Sequence, residues 1–160
     1  MGIHGTYYDF GNMESHSKSQ LAVPRVNIPR VQERDAKFYN SKGVQKAEQR
    51  EYESAIADFD MAISILPGEA LIYYNRGLAK FELGQYESAI ADFDMAISIQ
   101  PDLAIAYHNR GSVKSELGKF DDALTDYSKA IEIDPDDPDP YNNRANVKAE
   151  LGQLEDAIAD

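Results

Sequence analysis

The chain has 160 residues and a net charge of −12, and 42% of its residues are hydrophobic, which is enough for a packed core. The negative charge argues against a broad nucleic-acid footprint, because phosphate binding requires clustered Lys and Arg. The absence of cysteine excludes disulfides and thiol chemistry. No apolar run approaches the roughly 18 residues that a membrane span requires.

Residues 1–34 form a leader in which neither a strand period nor a helix period is sustained. We predict that this leader is disordered or extended. Tyr7, Tyr8 and Phe10 are its only aromatic cluster, and they are interpreted either as a docking tag or as part of an unstructured tail. Gly2 fits the short N-myristoylation pattern, but no basic cluster follows it, so lipidation stays an open alternative.

After the leader, the sequence repeats every 34 residues. Pro67, Pro101 and Pro135 are spaced by that period, and the sequence Tyr52–Ile65 recurs letter for letter as Tyr86–Ile99. A fixed period in this range predicts stacked supersecondary units, none of which buries its apolar face alone.

Each repeat is predicted to be a pair of helices. Apolar residues at helical spacing indicate a first helix that ends at Gly84, because glycine adopts the left-handed C-cap without steric penalty. Tyr86–Ile99 is predicted to be the second helix, since Pro101 blocks its continuation. The short turn makes the two helices antiparallel neighbours, and we expect Gly77 to face Ala89 where their axes approach.

The array therefore covers residues 35–160 and the fold class is all-α. We predict repeats at about 36–69, 70–103 and 104–137, followed by a partial fourth repeat at 138–160. An array of this kind carries out its function through a long surface.

These features resemble the tetratricopeptide repeat (TPR) family. The family pattern contains A-x3-F followed by P, and this chain has Ala89, Phe93 and Pro101 at that spacing, with Gly77 preceding them in register. The resemblance covers about residues 36–160. It implies a right-handed α-solenoid of helix pairs, whose concave groove is lined by the first helix of each pair.

Basic residues replace the leucine and the aromatic residue that the family usually has on the first helix. They are Lys42, Arg76, Arg110 and Arg144 and, four residues later, Lys46, Lys80, Lys114 and Lys148. The two charges of each pair share a helix face and repel, so carboxylates must compensate them. We expect pairs between repeats, namely Arg76–Asp58, Arg110–Asp92 and Arg144–Asp126. Pairing within a repeat, such as Arg76–Asp92, is the alternative.

By resemblance, a partner binds first-helix residues that face away from the second helix. The predicted peptide-binding groove consists of Leu71, Tyr74, Asn75, Leu78, Glu82, Ile105, His108, Asn109, Ser112, Glu116, Asn142, Asn143 and Asn146. The first repeat adds Lys37, Asn40, Ser41, Val44 and Glu48, and the fourth adds Asp139 and Glu150.

Two side-chain series in this groove recur at the repeat period. The first is the asparagine ladder, made of Asn75, Asn109 and Asn143. An amide both donates and accepts hydrogen bonds, so this ladder suits a peptide backbone. The second is a glutamate ladder, made of Glu48, Glu82, Glu116 and Glu150. It favours Lys or Arg on the bound peptide. The alternative is that duplication copied both series without selection for binding.

No pattern of catalytic, cofactor or metal chemistry is found. His4, His16 and His108 lack metal-like spacing, and the acidic run 134–139 lacks the glycine and the terminal glutamate of a calcium loop. We therefore expect no enzyme activity, no cofactor and no metal.

The sequence predicts a cytoplasmic protein–protein interaction scaffold that binds a peptide or protein segment bearing basic and apolar residues. We expect neither a nucleic-acid partner nor a membrane partner. Capture of chaperone tails is argued against, because Asn40, Ile105 and Asp139 stand where that version of the family needs basic residues. One alternative is a self-assembling element or a fragment of a longer array, with self-association through the incomplete C-terminal repeat. Another is a regulatory segment of a larger enzyme.

Overall fold

The computed structural model of the chain describes residues 5–9, 30–153, 157 and 158. Seven α-helices and no strand occur in these residues. The helices are α1 (Arg30–Glu48), α2 (Tyr52–Ile65), α3 (Ala70–Glu82), α4 (Tyr86–Ile99), α5 (Ala104–Glu116), α6 (Phe120–Ile133) and α7 (Pro138–Glu150). The predicted all-α solenoid is confirmed. None of these helices is both long enough and apolar enough to cross a membrane.

The first helix starts earlier than the sequence predicts. It begins at Arg30, so the last residues of the predicted leader 1–34 are helical. Nothing after Pro29 interrupts a helix there, and an ion pair between Lys37 and Glu33, 2.9 Å long, links successive turns of α1.

Glycines with positive φ end the first helices, as predicted for Gly84. The φ of Gly84 is +70°, and the backbone N–H of Gln85 donates to the carbonyl of Lys80 at 2.9 Å, which closes the last turn. Arg50 occupies the equivalent position of the first repeat with a φ of +63°. That conformation costs a residue with a Cβ roughly 1–2 kcal/mol, so the first turn is the strained copy of this feature.

The two helices of a hairpin approach each other at the glycine that recurs in the first helix of each of the first three repeats, and an aromatic ring of the second helix is the nearest group. A Cβ on Gly77 would lie 2.9 Å from Cε1 of Phe93, so it is this ring that occupies the space left by the glycine. In the third repeat, a Cβ on Gly111 would meet the ring of Tyr127 at 3.0 Å. The aromatic ring one turn beyond the alanine therefore takes up the space that the glycine leaves, and in the third repeat the backbone carbonyl of Ala123 lies beside Gly111 as well, at 3.2 Å from the added Cβ.

The basic pairs of the first helices are compensated within their own repeat. Nη2 of Arg76 lies 2.6 Å from Oδ1 of Asp92, and Nζ of Lys80 lies 2.8 Å from the other carboxylate oxygen. Arg110 and Lys114 hold Asp126 in the same way. The pairing of Arg76 with Asp58, which we preferred from the sequence, is wrong, and the alternative within the repeat is correct.

Asp58 is not available to Arg76, because it faces its own hairpin. Nζ of Lys46 and Nζ of Lys42 lie 2.5 and 3.3 Å from its two carboxylate oxygens. The expected pair Arg110–Asp92 is wrong for the same reason, because Asp92 also faces its own hairpin. Arg144 donates a hydrogen bond from Nη1 to Oγ of Ser128 at 3.0 Å.

A different acidic residue makes the link between repeats. Nη1 of Arg76 lies 2.6 Å from Oδ1 of Asp60 in the preceding repeat, and Arg110 pairs likewise with Asp94 at 2.5 Å. Asp58 and Asp60 are two residues apart on α2, which corresponds to about 200° around the helix axis. One residue therefore faces the hairpin while the other reaches the next repeat.

We predict that Asp92→Asn lowers the free energy of unfolding by about 3 kcal/mol, because it leaves two cations without their carboxylate at a side chain that is only 4% exposed. The matched control is Asp94→Asn, since Asp94 also pairs with an arginine but is 54% exposed. We expect that change to cost less than about 1 kcal/mol. Urea unfolding followed by circular dichroism measures both, and equal losses would contradict the prediction.

Candidate functional site

The first helices of the repeats form the inner face of the array. Each first helix lies close to the next first helix: α1 contacts α3, α3 contacts α5 and α5 contacts α7, with Cα atoms within 8 Å of each other. Within the described residues, the second helices α2, α4 and α6 do not come this close to one another. Because the first helices are closer together than the second helices, the stack curves, and the first helices lie on its concave side. The concave groove is therefore lined by α1, α3, α5 and α7.

The structure places the predicted groove residues on this inner row with very different exposure. The residues that are buried are Leu71, Tyr74, Asn75, Leu78, His108, Asn109 and Ser112. Ile105 and Asn143 are half-buried, while Glu82, Glu116, Asn142 and Asn146 are exposed. The middle of the groove thus has an apolar and amide floor, and its carboxylates lie where solvent reaches them.

Residues 5–9 of the leader lie in this groove, with their main chain paired to an asparagine. Oδ1 of Asn75 accepts a hydrogen bond from the backbone N–H of Tyr8 at 3.0 Å, and Nδ2 of Asn75 donates to the carbonyl of Tyr8 at 2.9 Å. Nδ2 of Asn40 donates to the same carbonyl at 3.1 Å. Both backbone groups of one residue are therefore satisfied by amide side chains of α1 and α3.

Side-chain contacts fix the direction of the segment. Gly5 lies against Leu78 of α3, where an added Cβ would come within 2.7 Å of Cδ2. At the other end, Oγ of Ser41 on α1 donates to Oδ1 of Asp9 at 2.7 Å. The segment consequently crosses from the second repeat to the first as the chain runs from residue 5 to residue 9.

The two tyrosines of the segment contribute most of its apolar contact. The ring of Tyr8 packs against that of Tyr74, with centroids 5.6 Å apart. Tyr7 packs against the cores of both the first and the second repeat. Burial, and then the nearby Tyr52 and Glu82, raise the pKa of Tyr7 well above its usual value, so it is a neutral phenol at physiological pH.

The asparagine ladder has a second role that the sequence did not indicate. Each of its members bonds to the residue 35 positions earlier, in the preceding repeat. Nδ2 of Asn75 donates to Oδ1 of Asn40 at 3.0 Å, and Nδ2 of Asn109 donates to the hydroxyl of Tyr74 at 2.8 Å. Asn143 approaches Nε2 of His108 at 2.7 Å. The ladder therefore connects adjacent repeats along the groove floor.

Asn109 retains an unused acceptor. Its side chain is completely buried, and its Oδ1 has no hydrogen-bond partner among the described residues. The equivalent atom of Asn75 accepts from the backbone of Tyr8. A buried amide oxygen without a partner costs about 1–3 kcal/mol, so a backbone N–H placed there is stabilised.

His108 is held as a neutral ring. With Nδ2 of Asn143 as the donor, Nε2 of His108 must accept the hydrogen bond, which requires an unprotonated nitrogen. Burial lowers the pKa of His108 below its usual 6.5, and the carboxylates of Asp137 and Asp139 oppose this shift only in part.

Within the described residues, no group of three His, Cys, Asp or Glu side chains is arranged to hold a metal ion. The predicted docking tag consists of Tyr7, Tyr8 and Phe10. Tyr7 and Tyr8 lie in the groove, and Phe10 is outside the described residues. The proposed lipidation site Gly2 is also outside them.

We predict that the stability of the chain falls as the pH drops below 6.5, and that His108→Asn reduces this loss. The unfolded chain takes up a proton on His108 near pH 6.5, whereas the folded chain does so only at a lower pH, so acid favours unfolding between the two values. Asparagine already occupies this position in the first and fourth repeats, as Asn40 and Asn142. Thermal unfolding of both proteins over this pH range is the measurement, and parallel pH profiles would contradict the prediction.

Comparisons with known proteins agree with this architecture. A tetratricopeptide repeat model matches residues 46–107, and a TPR repeat model matches residues 111–152. No protein of curated function matches the chain by sequence.

Solved structures share the fold at low identity. The first TPR of Spaghetti (RPAP3) bound to HSP90 peptide SRMEEVD has a TM-score of 0.72 and 24% identity, covering 74% of this chain and 94% of that chain. The second TPR domain of human RPAP3 in complex with HSP70 peptide SGPTIEEVD has a TM-score of 0.70 and 24% identity, over 73% and 98%. MamA has a TM-score of 0.75 and 23% identity, over 81% and 78%. The matched models, the repeat period and the stacked helix hairpins agree: the chain belongs to the tetratricopeptide repeat family.

Proposed function

We propose that the protein is a non-catalytic interaction scaffold whose concave groove binds an extended peptide segment of a partner protein. The observation that carries this proposal is the pairing of Asn75 with both backbone groups of Tyr8. Such pairing recognises main chain rather than one particular side chain, so it serves any extended segment that reaches the groove floor. The similar fold of TPR domains that hold HSP90 and HSP70 peptides is consistent with it.

The groove favours a ligand with apolar side chains toward the floor and basic side chains toward the rim. The floor supplies Leu71, Tyr74 and Leu78, which are buried. The rim carries the exposed Glu116 and Glu150, and the chain as a whole has a charge of −12. Charge complementarity of this kind raises the rate of association and rejects acidic competitors.

The same features separate this groove from one that captures an acidic C-terminal tail. The positions that would need cations hold Asn40, Ile105 and Asp139. We therefore propose that the peptide SRMEEVD, which is bound by the first TPR of Spaghetti, is a poor ligand here.

A library of displayed random 12-residue peptides, selected on the full chain, tests the proposal. We predict that a selected peptide binds Asn109→Leu about tenfold more weakly than the original chain. Leucine has a similar volume to asparagine, but it removes the hydrogen-bond acceptor and donor of this side chain from the groove floor. The matched control is Glu87→Ala, an exposed residue of α4 outside the groove. Fluorescence anisotropy measures both, with SRMEEVD as the reference peptide.

Circular dichroism must show that both variants are folded. Substitution of Tyr74 is unsuitable for this test because its large ring packs against Phe93 with centroids 5.9 Å apart, whereas leucine at the equally buried Asn109 keeps the side-chain volume. Equal affinities of the original chain, Asn109→Leu and Glu87→Ala would contradict binding in the groove.

A second candidate function is assembly through the C-terminal repeat. Leu151 and Ile158 are 40% and 86% exposed at that end of the described array, and a solenoid buries such faces by adding repeats. We predict that the mass measured by light scattering rises with concentration and that Ile158→Glu suppresses the rise. A monomer mass at every concentration would contradict assembly.

A further inference from the structure

The leader segment 5–9 uses the groove in the way that the proposed function assigns to a partner. It pairs its backbone with Asn75 and Asn40, places an aromatic ring on Tyr74 and brings Gly5 against Leu78. These four contacts involve the inner row of helices, and a partner peptide at the same floor needs the same atoms. Two chains cannot both use the Oδ1 and Nδ2 atoms of Asn75 in this way.

The connection to the array permits the segment to reach its own groove. Residues 10–29 join the segment to α1, and 20 extended residues span up to about 66 Å at roughly 3.3 Å each. Because the segment is tethered, it competes at an effective concentration of the order of millimolar, whereas a separate partner competes at its own lower concentration.

The contacts also define the chemistry that the floor accepts. A small residue fits best at the position of Gly5, since a Cβ there would come within 2.7 Å of Cδ2 of Leu78 and this side chain would have to move. Two adjacent aromatic residues follow after one exposed position, and an acidic residue then meets the hydroxyl of Ser41. The hydroxyl of Tyr7 is buried without a hydrogen-bond partner among the described residues, so phenylalanine fits that position at least as well as tyrosine.

We propose that residues 5–9 are an intramolecular ligand that occupies the groove, and that a partner must displace them with an extended segment of the same chemistry: a small residue, one variable residue, two aromatic residues and an acidic residue. This inference rests on the proposed function of the groove. It adds the sequence class of the ligand at the first two repeats and a competition that keeps the groove closed. Basic residues of a partner then belong beside the segment, toward Glu116 and Glu150.

The test uses the full chain and a fluorescent synthetic peptide, GTYYD, which copies residues 5–9. We expect the original chain to bind this peptide weakly and the double variant Tyr7→Ala/Tyr8→Ala to bind it at least about tenfold more tightly, because an intramolecular ligand present in nine-tenths of the molecules raises the apparent Kd by that factor. Thr6→Ala is the matched control, since Thr6 lies in the segment but is exposed, and it should leave the affinity unchanged. A peptide of the same composition in the order YGDTY should not bind.

A second variant tests release of the segment without deleting its aromatic side chains. Gly5→Val adds a branched side chain that would have to displace the buried Leu78, so it should also weaken the hold on the segment and raise the affinity for GTYYD. The peptide GTFYD should bind the released chain at least as tightly as GTYYD. The affinities of the original chain should stay constant over a hundredfold range of protein concentration, because the competitor is in the same molecule.

Each contrary result overturns the proposal in an identifiable way. Equal binding of GTYYD to the original chain and to both released variants would mean that the segment does not compete, although the groove still binds peptides. Failure of GTYYD to bind the released variants, while a library-selected peptide binds and is lost in Asn109→Leu, would overturn the ligand class and leave the proposed function standing. If neither GTYYD nor a library-selected peptide binds, both the ligand class and the proposed function are overturned. Affinity that falls as the protein concentration rises would assign the segment to the groove of a second copy.

Discussion

A buried aspartate shared by two cations is the constraint on which the repeat architecture depends. Asp92 is buried and is held by Arg76 and Lys80 of the neighbouring helix, and Asp126 repeats the arrangement with Arg110 and Lys114. Desolvation of a carboxylate is costly unless its partners are close, so the two helices of a hairpin have one favoured register. Burial acts to lower the pKa of Arg76, but hydrogen bonds from Arg76 to Asp92 and Asp60 outweigh it, and the arginine stays charged.

The same arginine transmits this register to the next repeat. Its remaining nitrogen reaches Asp60 across the junction, and its guanidinium lies 5.6 Å from the centroid of the Tyr73 ring. On the inner face, the asparagine ladder makes a parallel set of hydrogen bonds between repeats. The groove therefore has a floor whose amides are already oriented before a ligand arrives, which lowers the entropy cost of binding.

Orientation of these amides explains how one residue type serves both structure and recognition. Asn75 uses Nδ2 toward Asn40 and toward the carbonyl of Tyr8, while its Oδ1 accepts from the backbone N–H of Tyr8. Asn109 makes only the hydrogen bond to the preceding repeat, in which its Nδ2 donates to the hydroxyl of Tyr74. Its Oδ1 has no hydrogen-bond partner among the described residues. In the proposed binding mode, a ligand that continues past the second repeat meets this unused acceptor at the repeat spacing.

The sequence by itself determined the period and, apart from the start of α1, the helices, because spacing along a helix fixes which side chains share a face. The inner row of residues was expected from the family resemblance. Tyr52–Ile65 and Tyr86–Ile99 are helical within the limits predicted from the repeat. Only the tertiary structure decided which carboxylate each arginine meets, since Asp58 and Asp60 differ by a rotation about a helix whose orientation is set by packing. It also decided that the ring of Phe93 fills the space beside Gly77, and that Tyr8 pairs with Asn75. Contacts between residues 67 positions apart carry no local signal, because they arise from the shape of a groove that exists only once the repeats have stacked.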